Sequence, residues 1–214
     1  VPLDHGAGRR GVGMGPSAMR IARLHETLTR LGYNIEDHGD IHIPAPETLP
    51  HGNDRAKYLP LVTAACEELA MKVKRAQRTN GIPLVIGGDH SIAIGSISGL
   101  AACLRERSRK SSHNPRLGVI WFDAHADMNT PDTSPSGNIH GMPVACLMGD
   151  GPRELTSIGF AGAKVDPVNF VQIGLRDVDE LEKRLIRRSG IHAYTMADID
   201  KRGMASIMEE AIGF

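Results

Sequence analysis

The sequence has 214 residues, 41% hydrophobic and 23% charged, with a formal net charge of zero. That length supports one domain with its own core, and the charge balance gives no electrostatic argument for nucleic acid or an anionic membrane. No apolar run approaches the ~18 residues of a membrane span. No signal-peptide pattern opens the chain. Three widely spaced cysteines, Cys66, Cys103 and Cys146, argue against a disulfide framework and fit a reducing, cytoplasmic compartment. The chain starts on Val1-Pro2 without Met and closes on Ile212-Gly213-Phe214 after a helix-like segment, so residues are expected to be missing at both ends.

In chain order, residues 1–16 read as a Gly-rich loop. It matches no phosphate-binding motif. Ser17 is placed to cap a helix over about 17–31, with Met19, Ala22, Leu24, Leu28 and Leu31 on one face and Gly32 as its stop. Residues 33–36 are a strand candidate, and Pro44, Pro46 and Pro50 mark an irregular loop. A long helix is expected over about 55–79, with Leu61, Ala65, Leu69 and Val73 along one stripe. Residues 83–86 read as a buried strand leaving through Gly87-Gly88-Asp89-His90, and Ser91 as the cap of a helix to about 104. Residues 105–114 are a polar loop, and 117–122 a buried strand. After a Pro/Ser/Gly-rich loop over 130–141, a helix is expected over 142–148 and irregular chain over 150–166. A strand over 169–174, a helix over 179–188, a strand over 191–195 and a helix over 201–211 follow. This alternation predicts an α/β architecture on a parallel, doubly wound sheet. With no internal repeat or interdomain linker, residues 1–214 are expected to form a single domain.

The chemistry concentrates in Trp121-Phe122-Asp123-Ala124-His125-Ala126-Asp127-Met128-Asn129. Asp123, His125 and Asp127 recur at spacing two, so an extended chain would project all three to one side. Three such groups on an apolar strand are costly unless a cation neutralises them. Oxygen and imidazole donors without sulfur suit Mn, Zn, Fe or Co. His90 leaves a second strand at the same sheet edge, where open α/β folds place their ligands. Asp89 serves either as an outer-shell partner or in an Asx-turn. His140 is a candidate proton relay, the alternative being plain surface exposure. The acids of 177–182 could receive a cationic substrate group, or serve the helix dipole.

These motifs resemble the ureohydrolase family, and within it the arginases. The resemblance rests on Gly87-Gly88-Asp89-His90-Ser91, Asp123-Ala124-His125-Ala126-Asp127-Met128-Asn129, Ser136-Gly137-Asn138-Ile139-His140-Gly141 and Ile173-Gly174-Leu175-Arg176-Asp177-Val178-Asp179, in family order. It implies a three-layer α/β/α sandwich, incomplete here, and two Mn²⁺ bridged by hydroxide. His90 and Asp127 would bind one metal, His125 the other and Asp123 both. The reaction implied is hydrolysis of L-arginine to L-ornithine and urea. Asp127 would assist the catalytic step, with His140 as proton shuttle. Asn129, Ser136 and Asn138 would hold the substrate α-carboxylate, and Asp179 and Glu182 would surround its α-ammonium. The parent protein would be a homotrimer or homohexamer.

The family's later Asp-x-Asp ligand pair has no counterpart in these residues, because Asp198-Ile199-Asp200 follows the wrong strand. Four of six ligands are therefore present, and the chain is expected to bind metal poorly, to turn over little, and to leave an aggregation-prone sheet edge. The alternatives are another ureohydrolase such as an agmatinase, whose substrate lacks an α-carboxylate, and a non-catalytic arginase-like protein.

Overall fold

The computed structural model of the chain describes residues 1–45, 49–109 and 116–214. Its elements are α1 (Gly15–Ile21), α2 (Leu24–Arg30), β1 (Gly52–Asn53), β2 (Ala56–Lys57), α3 (Leu59–Arg78), α4 (Ile92–Ser108), β3 (Val119–Phe122), α5 (Pro143–Leu147), α6 (Arg153–Thr156), β4 (Phe170–Leu175), α7 (Glu180–Ser189), β5 (His192–Thr195), α8 (Met196–Arg202) and α9 (Met204–Gly213). Strands β3, β4 and β5 form a parallel sheet in that order, with Trp121 opposite Gln172 and Ile173 opposite Tyr194. All six β4 residues are buried, as expected for the middle strand of a sheet covered on both faces.

Alternation along β4 divides the layers. Phe170 shares one cluster with Trp121 of β3, Ala93 of α4, and Val144 and Leu147 of α5, against which Leu185 and Ile186 of α7 pack. Leu175 joins that cluster because the register slips between Ile173 and Leu175, where Gly174 takes a φ of 100°. Val171 and Ile173 face the other way, onto Ile207 and Ala211 of α9 and Ile199 of α8. Helix layers thus cover both faces of the sheet. A third cluster joins α3 to α4 and to Leu3, Ile139 and Met142. There the two long helices nearly touch: a Cβ on Gly95 or Gly99 would lie within 2.5 Å of the Cys66 or Ala70 carbonyl oxygen. No helix among the described residues is long and apolar enough to cross a membrane. All three cysteines are buried and free.

Several local expectations need correction. The helix expected over 17–31 is two helices, broken at Arg23, which takes a left-handed φ of 60°. Ser17 lies inside α1 rather than capping it, and the apolar row finds no core, since α2 has no buried residue. Residues 33–36 form no strand. The long helix starts later, at Leu59, because the β1–β2 hairpin takes up residues 52–57. Residues 83–86 join no ladder and are not buried. Leu84 is 64% exposed, and the neighbouring N-terminal stretch gives isolated bonds, the Val1 ammonium to the Ile86 carbonyl at 2.7 Å, Gly88 N–H to the Val1 carbonyl and Asp89 N–H to the Leu3 carbonyl. The last helix is split at Gly203, and Asp198 lies in α8, where its carboxylate accepts the N–H of the N-cap Thr195 in a capping box. Helix α4 runs on through Ser108, while residues 110–114 of the expected polar loop, and Pro46, lie outside the described residues. Strand β3, expected to be buried, pairs only with β4 among the described residues, and Phe122 is 57% exposed.

Helix α7 fastens the sheet to the exit of β3. Asp179 caps it by accepting from the Leu181 and Glu182 N–H groups, and Glu182 completes a capping box at the Asp179 N–H. The other Glu182 oxygen accepts the Met128 N–H at 3.0 Å. Burial pushes the Glu182 carboxyl up to about 6, and the Met128 bond offsets only part of that rise. A carboxyl raised on folding adds stability in full below its ordinary 4.5 and loses it as pH rises through about 6. The window corresponds to about 2 kcal/mol at 1.36 kcal/mol per pH unit. Carbon-13 NMR of the Glu182 carboxyl is expected to give a midpoint near 6, and the chain should lose about 2 kcal/mol relative to Glu182→Gln from well below pH 4.5 to well above pH 6. An ordinary midpoint would contradict the burial argument.

Candidate metal centre

Two strand-like exits bring the ligands together. The strand β3 stops at Phe122 and the chain bends at Ala124 and His125. Asp127 then takes a left-handed φ of 53°, a conformation that costs roughly 1–2 kcal/mol and that Asp tolerates better than most residues. Simple alternation therefore does not carry past Asp123. The bend swings Asp127 back, and its carbonyl accepts the Val144 N–H at the start of α5 (2.9 Å) while the Asn129 N–H bonds Gly141 O (3.1 Å). From the other exit, His90 Nδ1 lies 2.9 Å from Asp123 Oδ2 and 2.9 Å from Asp127 Oδ2. One donor atom from each of His90, Asp123 and Asp127 fits within 4.8 Å of the others.

His125 stands outside this trio but touches its edge. Its backbone N–H and Nδ1 lie 2.9 and 3.1 Å from Asp123 Oδ1, and its Nε2 is 3.4 Å from the Asp177 carboxylate. Asp123 thus turns one oxygen to His90 and the other to His125. His90 also stacks on Trp121, with ring centroids 4.2 Å apart and planes at 19°.

The electrostatics express an excess of carboxylate. Burial would lower the His90 imidazole, but the facing Asp123 and Asp127 carboxylates outweigh it and raise it to about 9. Burial works to raise Asp123, yet His90 and the His125 N–H hold it at about 2. Asp127 is raised instead, because burial and the Asp123 charge exceed what His90 returns. Its Oδ2 is buried and accepts no hydrogen bond of good geometry despite the 2.9 Å approach of Nδ1. Two carboxylates and one imidazole with an orphaned buried oxygen fit a hard or borderline divalent cation.

The remaining candidates are linked through neighbouring loops and helix α7. Asp89 is buried. Its Oδ1 accepts from Ser91 in an Asx-turn, and its Oδ2 accepts the Gly6 N–H at 2.9 Å. Gly6 O in turn accepts the His140 N–H, so one loop joins the His90 turn to His140. His140 is half-buried, and its charge reaches Asp127. Ser136 Oγ accepts the Asn138 N–H at 3.2 Å. Between them Gly137 has φ 68°, and a Cβ there would meet Asp54 O at 1.8 Å. Its carbonyl accepts the Lys57 N–H, so the β1–β2 hairpin braces this loop. Asn129 Nδ2 donates to Asp179 Oδ2 at 2.9 Å, while Asn129 Oδ1 is buried without a partner. Sequence reasoning read Trp121 only as a strand residue, and its place beside His90 carries no motif. The Asp177–His125 contact was also unforeseen.

The sequence matches the Arginase family over residues 1–214. The arginase of Bacillus caldovelox is 50% identical over 215 residues, covering 100% of this chain and 69% of that protein. Its crystal structure superposes with a TM-score of 0.89 over 99% of this chain and 68% of that one. The structure of Entamoeba histolytica arginase in complex with L-ornithine has a TM-score of 0.85 at 34% identity, over 98% of this chain and 67% of that one. The chain therefore belongs to the arginase family, a family of hydrolases.

Proposed function

We propose that these residues carry the machinery for manganese-dependent hydrolysis of the L-arginine guanidinium to L-ornithine and urea. The observation that carries the reading is the convergence of His90, Asp123 and Asp127, with His125 on the second oxygen of Asp123, in a chain of the arginase family. Arginases are metalloenzymes, and two Mn²⁺ are the ions proposed here. His90 and Asp127 would hold one, His125 the other, and Asp123 both, in keeping with its two-sided contacts. When bound, such a pair lowers the pKa of a bound water so that a strong nucleophile exists at neutral pH.

The chain's own groups do the rest. Asp127, held in its left-handed turn, orients the nucleophile toward the guanidinium carbon. His140 moves a proton between the site and solvent, a task suited to an imidazole near neutral pH. Asn129, Ser136 and Asn138 offer neutral donors to the α-carboxylate. Asp179 accepts from the α-ammonium, and buried Glu182 adds negative charge behind it. Such fixed contacts place the poorly electrophilic guanidinium carbon for attack. The L-ornithine complex of the E. histolytica relative supports ornithine as product. The family reading extends to a cytoplasmic homotrimer or homohexamer.

The donor set at Asn129, Ser136 and Asn138 favours arginine over agmatine, which has no carboxylate for it. Incubated with Mn²⁺, the chain is expected to release urea from L-arginine and none from agmatine. Equal release from agmatine would overturn the substrate assignment, and failure to bind Mn²⁺ at all would favour a non-catalytic arginase-like role. Replacing His140 by Ala should lower urea release by roughly 10²–10⁴-fold, the usual weight of a positioned acid–base group, with Mn²⁺ content unchanged. Loss of metal in that variant would instead make His140 part of the metal centre.

A further inference from the structure

We infer that Trp121 is a positioning residue that holds the His90 imidazole in its ligating orientation by stacking. The inference rests on the metal-centre reading. A metal-bound histidine is ordinarily steadied by donating its second ring N–H to a carboxylate, a carbonyl or water. Among the described residues His90 makes its polar contacts through Nδ1 alone, to Asp123 and Asp127, and no protein group holds Nε2. What holds the ring plane is the indole, near-parallel at 4.2 Å.

The rest of the pair's surroundings agree. Trp121 is itself immobilised. It is 5% exposed, its backbone sits opposite Gln172 of β4, and its ring leans on Phe170 with centroids 5.8 Å apart. Among the described residues its Nε1–H is buried without a partner, an unfavourable arrangement for a donor taken out of water. Indole is therefore present at this position despite its N–H, for the breadth of its face. The next residues along the chain are the ligands themselves, so one short segment supplies both Asp123 and the surface on which His90 rests.

Trp121 is also the single tryptophan of the sequence, which gives the test a direct readout. Mn²⁺ is titrated into the chain while its free-ion electron paramagnetic resonance signal and Trp121 emission are followed together. Paramagnetic quenching of the emission should follow the same isotherm as metal uptake. Trp121→Leu keeps apolar bulk but removes the ring, and should weaken Mn²⁺ binding by about 10–100-fold, the range for losing an outer-shell support. Trp121→Phe restores a ring face and should recover affinity to within about threefold of the original, well short of the outer-shell loss. Circular dichroism confirms that both variants fold. Unchanged affinity in a folded Trp121→Leu chain overturns the inference. If that variant does not fold, emission that ignores metal uptake by the unaltered chain overturns it equally. His90→Asn separates the two levels. If it leaves Mn²⁺ affinity intact, the metal-centre reading itself fails, whereas if it weakens binding and Trp121→Leu does not, only the stacking role fails.

Discussion

Two carboxylates face one imidazole at the end of an apolar strand. His90 Nδ1 is 2.9 Å from both Asp123 and Asp127, and the contact satisfies neither charge nor geometry in full. Asp127 is raised by burial while Asp123 is held low, as expected where a single positive group must serve two negative ones. On the proposed reading, a divalent cation would supply what the protein withholds. The left-handed Asp127 and its orphaned Oδ2 are the kind of local strain that persists only where surrounding structure enforces it.

Much of the fold is that enforcement. The exit of β3 is held residue by residue: Asp127 by α5, Met128 by Glu182, Asn129 by Gly141. Glu182 in turn belongs to the capping box of α7, which follows the buried β4. The second exit is held by Asp89, which ties the His90 turn to Gly6 and so to the backbone of His140. The hairpin of β1 and β2 supports the Ser136–Asn138 loop through Gly137. Groups far apart in sequence are thereby set around one cluster, and none of these supports touches the proposed reacting atoms.

The sequence spoke clearly where a physical signal was local. Strands at Trp121 and Ile173 and the long stripe of Ala65, Leu69 and Val73 follow from periodicity, and the sheet and the body of α3 appear where expected, although β4 is buried throughout and β3 only at Trp121. Residues 83–86 misled because an apolar run reads as a strand whether or not a partner lies beside it, and the described residues pair it with none. The row from Met19 to Leu31 misled likewise, since amphipathic spacing says nothing about whether a core is there to meet it. At the site, residue types pointed to a metal, but the assumed alternation failed at Asp127. A backbone sign change at a non-glycine residue leaves no mark in composition. The stack of Trp121 on His90 joins two segments separated by a helix, a contact that no spacing rule reveals.

The central claim is that His90, Asp123 and Asp127 form the seat of a divalent cation. Crystals of the chain grown with Mn²⁺ and measured at the manganese absorption edge test it most directly. The account predicts anomalous density among His90 Nδ1 and the carboxylates of Asp123 and Asp127. Density only elsewhere, or none at full Mn²⁺ loading of the solution, would contradict it.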